Sequence, residues 1–217
     1  MTAGEGQSSP PPGLLPLTRL EAFSDGVFAI AITLLVLELD VPKLADGLLG
    51  ELGKEWPSYV GYFVSFAFIG GVWMAHANLT RFLKAVDQVL LGLNLVLLLS
   101  VSLLPFTTNL MATHLGDSGE HVAVVIFGLN LTLASVMVNV VFTYAARTKG
   151  LADTRSDEEL RAFARRRRIS VVVQASATAL GLLAPTIAVL IYLGISLLVL
   201  IDPIWRAVRL RRRAQLN

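Results

Sequence analysis

Long apolar runs constrain this chain more than any other feature. Four of them extend from Leu20 to Leu39, Ser58 to Ala77, Val89 to Met111 and Val122 to Ala145, and a fifth covers Ile169 to Ile201. About 20 residues at 1.5 Å each cross a hydrocarbon core of about 30 Å. No water inside that core satisfies a peptide group, so a lone segment crosses as a helix that bonds its own backbone. The expected class is an all-α, multi-pass integral membrane protein. Composition agrees: 54% of residues are apolar and 16% charged, where a soluble domain carries about 25% charge. That balance excludes an ordinary soluble globular domain and a disordered chain. The absence of cysteine excludes disulfides, thiol catalysis and thiolate metal sites.

The fifth run is 33 residues long. As one straight helix it would reach about 50 Å, well beyond the core. Gly181 and Pro185 interrupt it, and two helices joined by a tight turn there fit the length better. Charge favours the same split. Arg165 to Arg168 precede the run, and Arg206, Arg209, Arg211, Arg212 and Arg213 follow it. Both clusters are expected on the cytoplasmic side, which a hairpin allows and a single crossing forbids. The result is six transmembrane helices with both termini cytoplasmic. In that arrangement 16 of the 18 basic residues face inward, and the outer loops hold only Lys43 and Lys54. The same outer loops hold Asp40, Asp46, Glu51, Glu55, Asp117 and Glu120. Three regions follow. Residues 1–17 form a flexible tail with Pro10, Pro11, Pro12 and Pro16, and with no Lys or Arg before Arg19 it is not a secretory signal. Residues 18–206 form the membrane domain, and 207–217 a basic cytoplasmic tail.

The motifs of soluble chemistry are missing. There is no P-loop, GxGxxG or HExxH, so neither an enzyme, a nucleotide-driven pump nor a resident cofactor is expected. There is no TVGYG-like loop and no regular arginine repeat in the fourth apolar run, which excludes the common re-entrant potassium filter and argues against a voltage sensor. His114 and His121 fall around an outer loop and are expected to be solvated. The arginines of the link from Arg147 to Arg168 set topology first, and they also suit anionic lipid headgroups. No nucleic-acid partner is needed to explain them.

Arg19, Glu21, Asp25 and Glu38 crowd the first apolar run. A charge at the centre of a spanning helix costs about 2.5–3.5 kcal/mol on insertion scales. Arg19 and Glu21 reach the inner interface, but Asp25 sits a turn deeper and needs a partner. Arg19, Ser24, the Trp73 N–H and His76 are the candidates. Asp25 either locks the bundle or touches a permeating ion, and locking is the commoner role. Ile30, Leu34 and Leu37 recur at i, i+4 and i+7 and lie within about 60° of one another. Phe23 and Gly26 continue that stripe inward, and Asp25 falls roughly opposite. On periodicity alone, the stripe is a packing face. Elsewhere, Asn94, Asn109, Asn130, Asn139 and Gln174 are expected to hydrogen-bond between helices, and Pro105 to kink the third helix.

The run RLEAFSDGVFAIAITLLVLEL resembles the first helix of the lysosomal and endosomal potassium-channel family and of its bacterial homologues. That family is marked by R-x-x-x-F-S-D, met here by Arg19, Phe23, Ser24 and Asp25. WMAHANLTRF and LLPFTTNL also resemble family segments, and the likeness extends from 19 to about 206. The length is similar to that of the bacterial members with a single six-helix repeat. The resemblance implies a bacterial cell-membrane location and a homotetramer whose central pore is lined by the first helix. It implies a constriction at Ile30, Leu34 and Leu37, with Thr33 assisting selection. It also implies an interhelical network of Arg19, Phe23, Ser24 and Asp25, with Trp73 and His76 as further members.

The activity so implied is a passive cation channel favouring potassium over sodium, with the permeant potassium ion the only small species involved. An apolar ring offers no oxygen to replace hydration water, so it closes by dewetting and passes a partly hydrated ion when widened. Potassium releases water more readily than sodium, and the Thr33 hydroxyls would offset part of the loss. Glu38 and Asp40 would gather cations at the outer mouth, although Glu38 also reads as an ordinary solvated helix end. The competing reading is a proton- or cation-coupled secondary transporter with Asp25 and His76 as a relay. It would favour inverted repeats, and none is visible in the sequence. A membrane scaffold without transport is a third.

Overall fold

A computed structural model describes residues 16–39, 41, 47–148, 150–151 and 157–198, the last segment by backbone alone up to 167. Helix α1, Leu17–Leu34, runs into a 3-10 turn, Leu35–Glu38. Then come α2, Leu48–Lys54; α3, Trp56–Thr80; α4, Gln88–Ser102; α5, Leu104–His114; α6, Glu120–Arg147; and α7, Asp157–Leu180. The last is α8, Pro185–Leu198. Four stretches are long and apolar enough to cross a membrane: Leu17–Glu38, Trp56–Thr80, Gln88–His114 and Glu120–Arg147. They contain the second, third and fourth apolar runs and all of the first but Leu39. The tail before 16, Asp40, Lys43 and the arginines beyond 198 lie outside the described residues.

The third span is two helices in tandem. Pro105 sits in the first turn of α5, where its missing N–H is no loss. The kink expected there takes the form of a helix break at Leu103, whose N–H still closes onto Leu99 O at 3.2 Å. The short α2 was not expected in the outer loop; its Glu51–Lys54 pair, at 2.6 Å, is exposed and contributes little.

The fifth run breaks at Gly181–Ala184. The Tyr192 hydroxyl donates to Thr178 Oγ1 at 3.0 Å across a separation of 14 residues. In one continuous helix those residues would stand about 21 Å apart, so α7 and α8 fold back on each other as a hairpin. Their apolar parts, Arg168–Leu180 and Pro185–Leu198, span about 20 Å each.

Helices α3 and α6 carry the core. Val64, Ile69, Phe127, Leu131 and Met111 are fully buried between them and their neighbours. Two glycines permit close approach, as small residues do in membrane helices. A Cβ on Gly61 would stand 3.0 Å from both Met111 Cε and Thr108 Cγ2. A Cβ on Gly128 would collide with the Tyr192 hydroxyl and crowd Thr178. Polar pairs cross the same seams: Ser65 with Thr108 at 2.6 Å, Asn130 to Thr107 at 3.1 Å and Ser135 to Gln174 at 2.8 Å. Asn109 instead accepts from Thr113 of its own helix at 3.3 Å. Among the described residues no buried side-chain polar atom lacks a partner.

The two loop histidines are more engaged than expected. His114 is half-buried and meets Leu110 O at 2.9 Å, while His121 reaches Gly181 O in the hairpin turn at 3.4 Å. At the opposite end, Asp87 caps α4 by accepting the Leu90 N–H at 2.7 Å and takes the Tyr144 hydroxyl at 2.6 Å. This end also carries Arg81, Lys84, Arg147 and Arg168.

Candidate functional site

Helix α1 has two apolar faces with different fates. Leu20, Ser24, Phe28 and Ala31 are buried, and Leu35 continues their line in the 3-10 turn. Steps of three and four residues hold them on one face, packed on α3 and α4. Phe23, Ile30, Leu34 and Leu37 lie on the other side, 57%, 60%, 41% and 74% exposed. Within one subunit the packing face is therefore the first line, and the expectation from periodicity that Ile30, Leu34 and Leu37 pack is corrected. The physical reason is that α1 from Gly26 to Leu34 is apolar nearly all round, so a period of 3.6 defines a stripe there without choosing which stripe faces inward. The first span is also the least buried of the four, at 28% of its most apolar window against 44%, 50% and 56%.

Local winding aligns the stripe. In the 3-10 turn residues three apart eclipse, so Leu37 lies close to the line of Leu34. Thr33, exposed beside them, donates to Ala29 O at 3.0 Å and Ile30 O at 2.9 Å. Its proton is thus engaged by its own helix, which leaves the oxygen of this exposed residue as an acceptor. Glu38 sits half-exposed in the same turn.

The polar residues around Ser24 divide into two bonded groups. Asp25, exposed, accepts the Trp73 Nε1–H at 2.9 Å. Ser24, fully buried, accepts from Asn94 Nδ2 at 2.9 Å, and Asn94 Oδ1 meets His76 Nε2 at 3.0 Å. With the amide so oriented, His76 donates through Nε2. Its ring stands 5.5 Å from that of Phe28. One chain thereby joins α1, α4 and α3. Of the residues selected from the sequence, Asp25 and Trp73 form one pair, and Ser24 and His76 are linked separately through Asn94. Arg19 and Phe23 do not join them: both are exposed, and Arg19 has no hydrogen bond or ion pair with a described residue. Asn94 hydrogen-bonds between helices as expected, but its partners, Ser24 and His76, were not among the expectations. Its signal was a lone amide in the otherwise apolar run QVLLGLNLVLLL. Among the described residues no three acidic or histidine side chains converge as a metal site.

These residues fall in a segment with known relatives. The family described as endosomal/lysosomal potassium channel TMEM175 matches residues 19–105. A potassium channel of Streptomyces collinus is 43% identical over 143 residues, which is 64% of this chain and 69% of that one. The chain belongs to the TMEM175 family. Its fold is shared with a crystal structure of a lysosomal potassium-selective channel TMEM175 homologue from Chamaesiphon minutus. The two overlay with a TM-score of 0.78 at 30% identity, over 86% of this chain and 97% of the other. The mouse endosomal/lysosomal proton channel TMEM175 is 37% identical over 119 residues, 49% of this chain and 24% of its own length. The TMEM175 match contains α1 from Arg19 onward, the whole of α3 and α4, and the break before Pro105. The protein is accordingly a multi-pass membrane protein of a potassium-channel family.

Proposed function

We propose that this chain forms a passive channel favouring potassium over sodium, built from four copies with α1 of each around a central pore. The observation that carries this reading is the exposed apolar stripe of Ile30, Leu34 and Leu37 on the least buried span. The names of the Streptomyces and Chamaesiphon relatives support it. Each subunit contributes six crossings, the last two from the α7–α8 hairpin and the residues flanking it. Both termini are cytoplasmic, because the basic residues then lie inside. The membrane domain extends over 18–206, between the proline-rich tail and the basic tail.

Four Ile30, Leu34 and Leu37 side chains form a ring without oxygen ligands. Such a ring closes by dewetting. Widened, it strips part of the hydration shell, and the ion that holds water less tightly pays less; that ion is potassium. Discrimination is modest compared with a carbonyl filter. The Thr33 oxygen, with its proton bound to Ala29 O and Ile30 O, acts toward the pore as an acceptor, suited to a cation or its water. Glu38, followed by Asp40, raises the local cation concentration at the outer mouth. Ser24, Asn94 and His76 hold α1 in place, and Asp25 with Trp73 braces it near the subunit surface. Anionic lipids of the bilayer neutralise the arginine clusters.

The transporter reading requires Asp25 and His76 to exchange protons. Asp25 is bonded to an indole N–H, which donates and cannot accept, and His76 to an amide. Neither link passes a proton onward. The test is the reversal potential of the purified protein in planar bilayers under opposing potassium and sodium gradients. The expected current reverses nearer the potassium potential, and Leu34→Ser changes conductance or selectivity. Gradient-driven uptake that depends on Asp25, with no passive current, would overturn the channel. The mouse relative's name makes the proton a second candidate ion, and a pH gradient imposed under symmetric potassium separates the two.

A further inference from the structure

Away from α1, a groove of about 550 Å³ opens between α6 and α7, a size typical of small-ligand sites. Val136 and Val140 of α6 and Val171 and Val172 of α7 form most of its walls, Asn139 and Thr143 add two neutral polar side chains on the α6 side, and Arg147 and Arg168 stand at one end. The polarity is graded. From Val136 to Arg147 the α6 wall passes from apolar to cationic over about 16 Å. Because α6 is a membrane-length helix, that gradient runs in the direction from hydrocarbon to headgroup. Both arginines are exposed, and neither is paired with an acid among the described residues. Tyr144 also lines the groove, and the acid behind it, Asp87, is occupied by the Tyr144 hydroxyl and the Leu90 N–H. A small soluble anion would use the arginines and leave the valine trough unfilled. A zwitterionic lipid would fill the trough but bring a cationic head group of its own beside the two arginines.

We propose that this groove seats an anionic glycerophospholipid of the basic leaflet. Its phosphate lies between Arg147 and Arg168, and one acyl chain lies along Val136, Val140, Val171 and Val172. Basic sites between membrane helices suit such headgroups.

The test is native mass spectrometry of the full-length protein in detergent, titrated with phosphatidylglycerol or phosphatidylcholine. The wild type should retain phosphatidylglycerol in preference to phosphatidylcholine. Each arginine is worth about a factor of five toward an anionic lipid, so R147A/R168A should weaken retention about 25-fold. Val140→Trp fills the trough and keeps both charges, and it should also release the lipid while elution and helicity stay unchanged. Equal retention of the two lipids would overturn the proposal. Loss in R147A/R168A without loss in Val140→Trp would reduce it to surface attraction and so overturn the seat. The chain has no cysteine, so Val172→Cys reports alone; cross-linking between copies there would show the face covered by protein and overturn the lipid. Retention is read without current, so its outcome is independent of ion selectivity.

Discussion

A single amide, Asn94, bridges Ser24 of α1 and His76 of α3. All three side chains are buried, and a polar group left unpaired in such a place costs about 1–3 kcal/mol. Asn94→Ala strands both partners at once, so it should destabilise the subunit by about 1–3 kcal/mol. Ser24→Ala removes one acceptor and should cost about 0.6 kcal/mol, the usual size of a membrane hydrogen bond. A double-mutant cycle on thermal unfolding in detergent reads the coupling; strict additivity would show that the bond carries nothing. The Asp25–Trp73 pair makes a different demand. It is exposed in the subunit, so its loss should act on assembly more than on folding. Trp73→Phe, which removes only the N–H, and Asp25→Asn should both lower the tetramer fraction in size-exclusion chromatography. Normal tetramers from both would show that the pair does not brace the assembly. At this scale the sequence was legible in part. Asp25 in an apolar helix demands a partner, and the Trp73 N–H was among the candidates. That Asn94 would bond across helices was legible as a lone amide in an apolar run; which residues it meets was not, because a partner 70 residues away is set by tertiary packing and leaves no local period.

The elements follow from length and polarity, and their breaks from backbone chemistry. Apolar runs place the four long spans to within a few residues, since a run ends where charge begins. The turn at Gly181–Ala184 was visible as Gly181 and Pro185 inside a run too long for one crossing. The division of the third span was legible only as a bend, because Pro105 suits either a kink or a first turn. Helix α2 was illegible: seven residues carry too little periodicity to stand out from a loop. The hairpin depends on Gly128, where α6 passes under the Tyr192 hydroxyl. Gly128→Ala places a methyl group in that contact, and overpacking of this kind costs about 1–3 kcal/mol. Removing the hydroxyl makes room, so Tyr192→Phe should recover part of the loss even though it gives up the bond to Thr178. Thermal unfolding of the two single variants and the double variant checks this. A double variant as unstable as the sum of the singles would place the clash elsewhere.

A subunit that leaves its first span largely uncovered is poorly suited to stand alone among soluble partners, but in a bilayer exposure alone decides little, because lipid tails are as apolar as leucine. Phe23, Ile30, Leu34 and Leu37 would be equally at ease against lipid. What favours a second copy over lipid is the polar company on α1: Thr33, exposed beside the stripe, lowers its cost at a water-filled axis, and Asp25, exposed on the other side of the helix, lowers its cost in a protein interface. Lipid contact would leave that carboxylate facing hydrocarbon. Whole-molecule geometry therefore gives a prediction that no single residue supplies. With no native cysteine in the chain, Leu34→Cys should be bridged between copies by a short bifunctional maleimide in native membranes, as a two-chain product, the largest that one thiol per chain allows. The same substitution should make potassium current sensitive to small cationic thiol reagents, which enter from water and not from lipid. A cysteine at Leu183, 82% exposed in the α7–α8 turn, serves as the control and should give neither effect. Bridging at Leu34 without current sensitivity would keep the interface and remove the pore from it. Labelling of Leu34→Cys only by lipid-soluble reagents, with no bridged product, would turn the stripe toward the bilayer and require a different pore-lining helix.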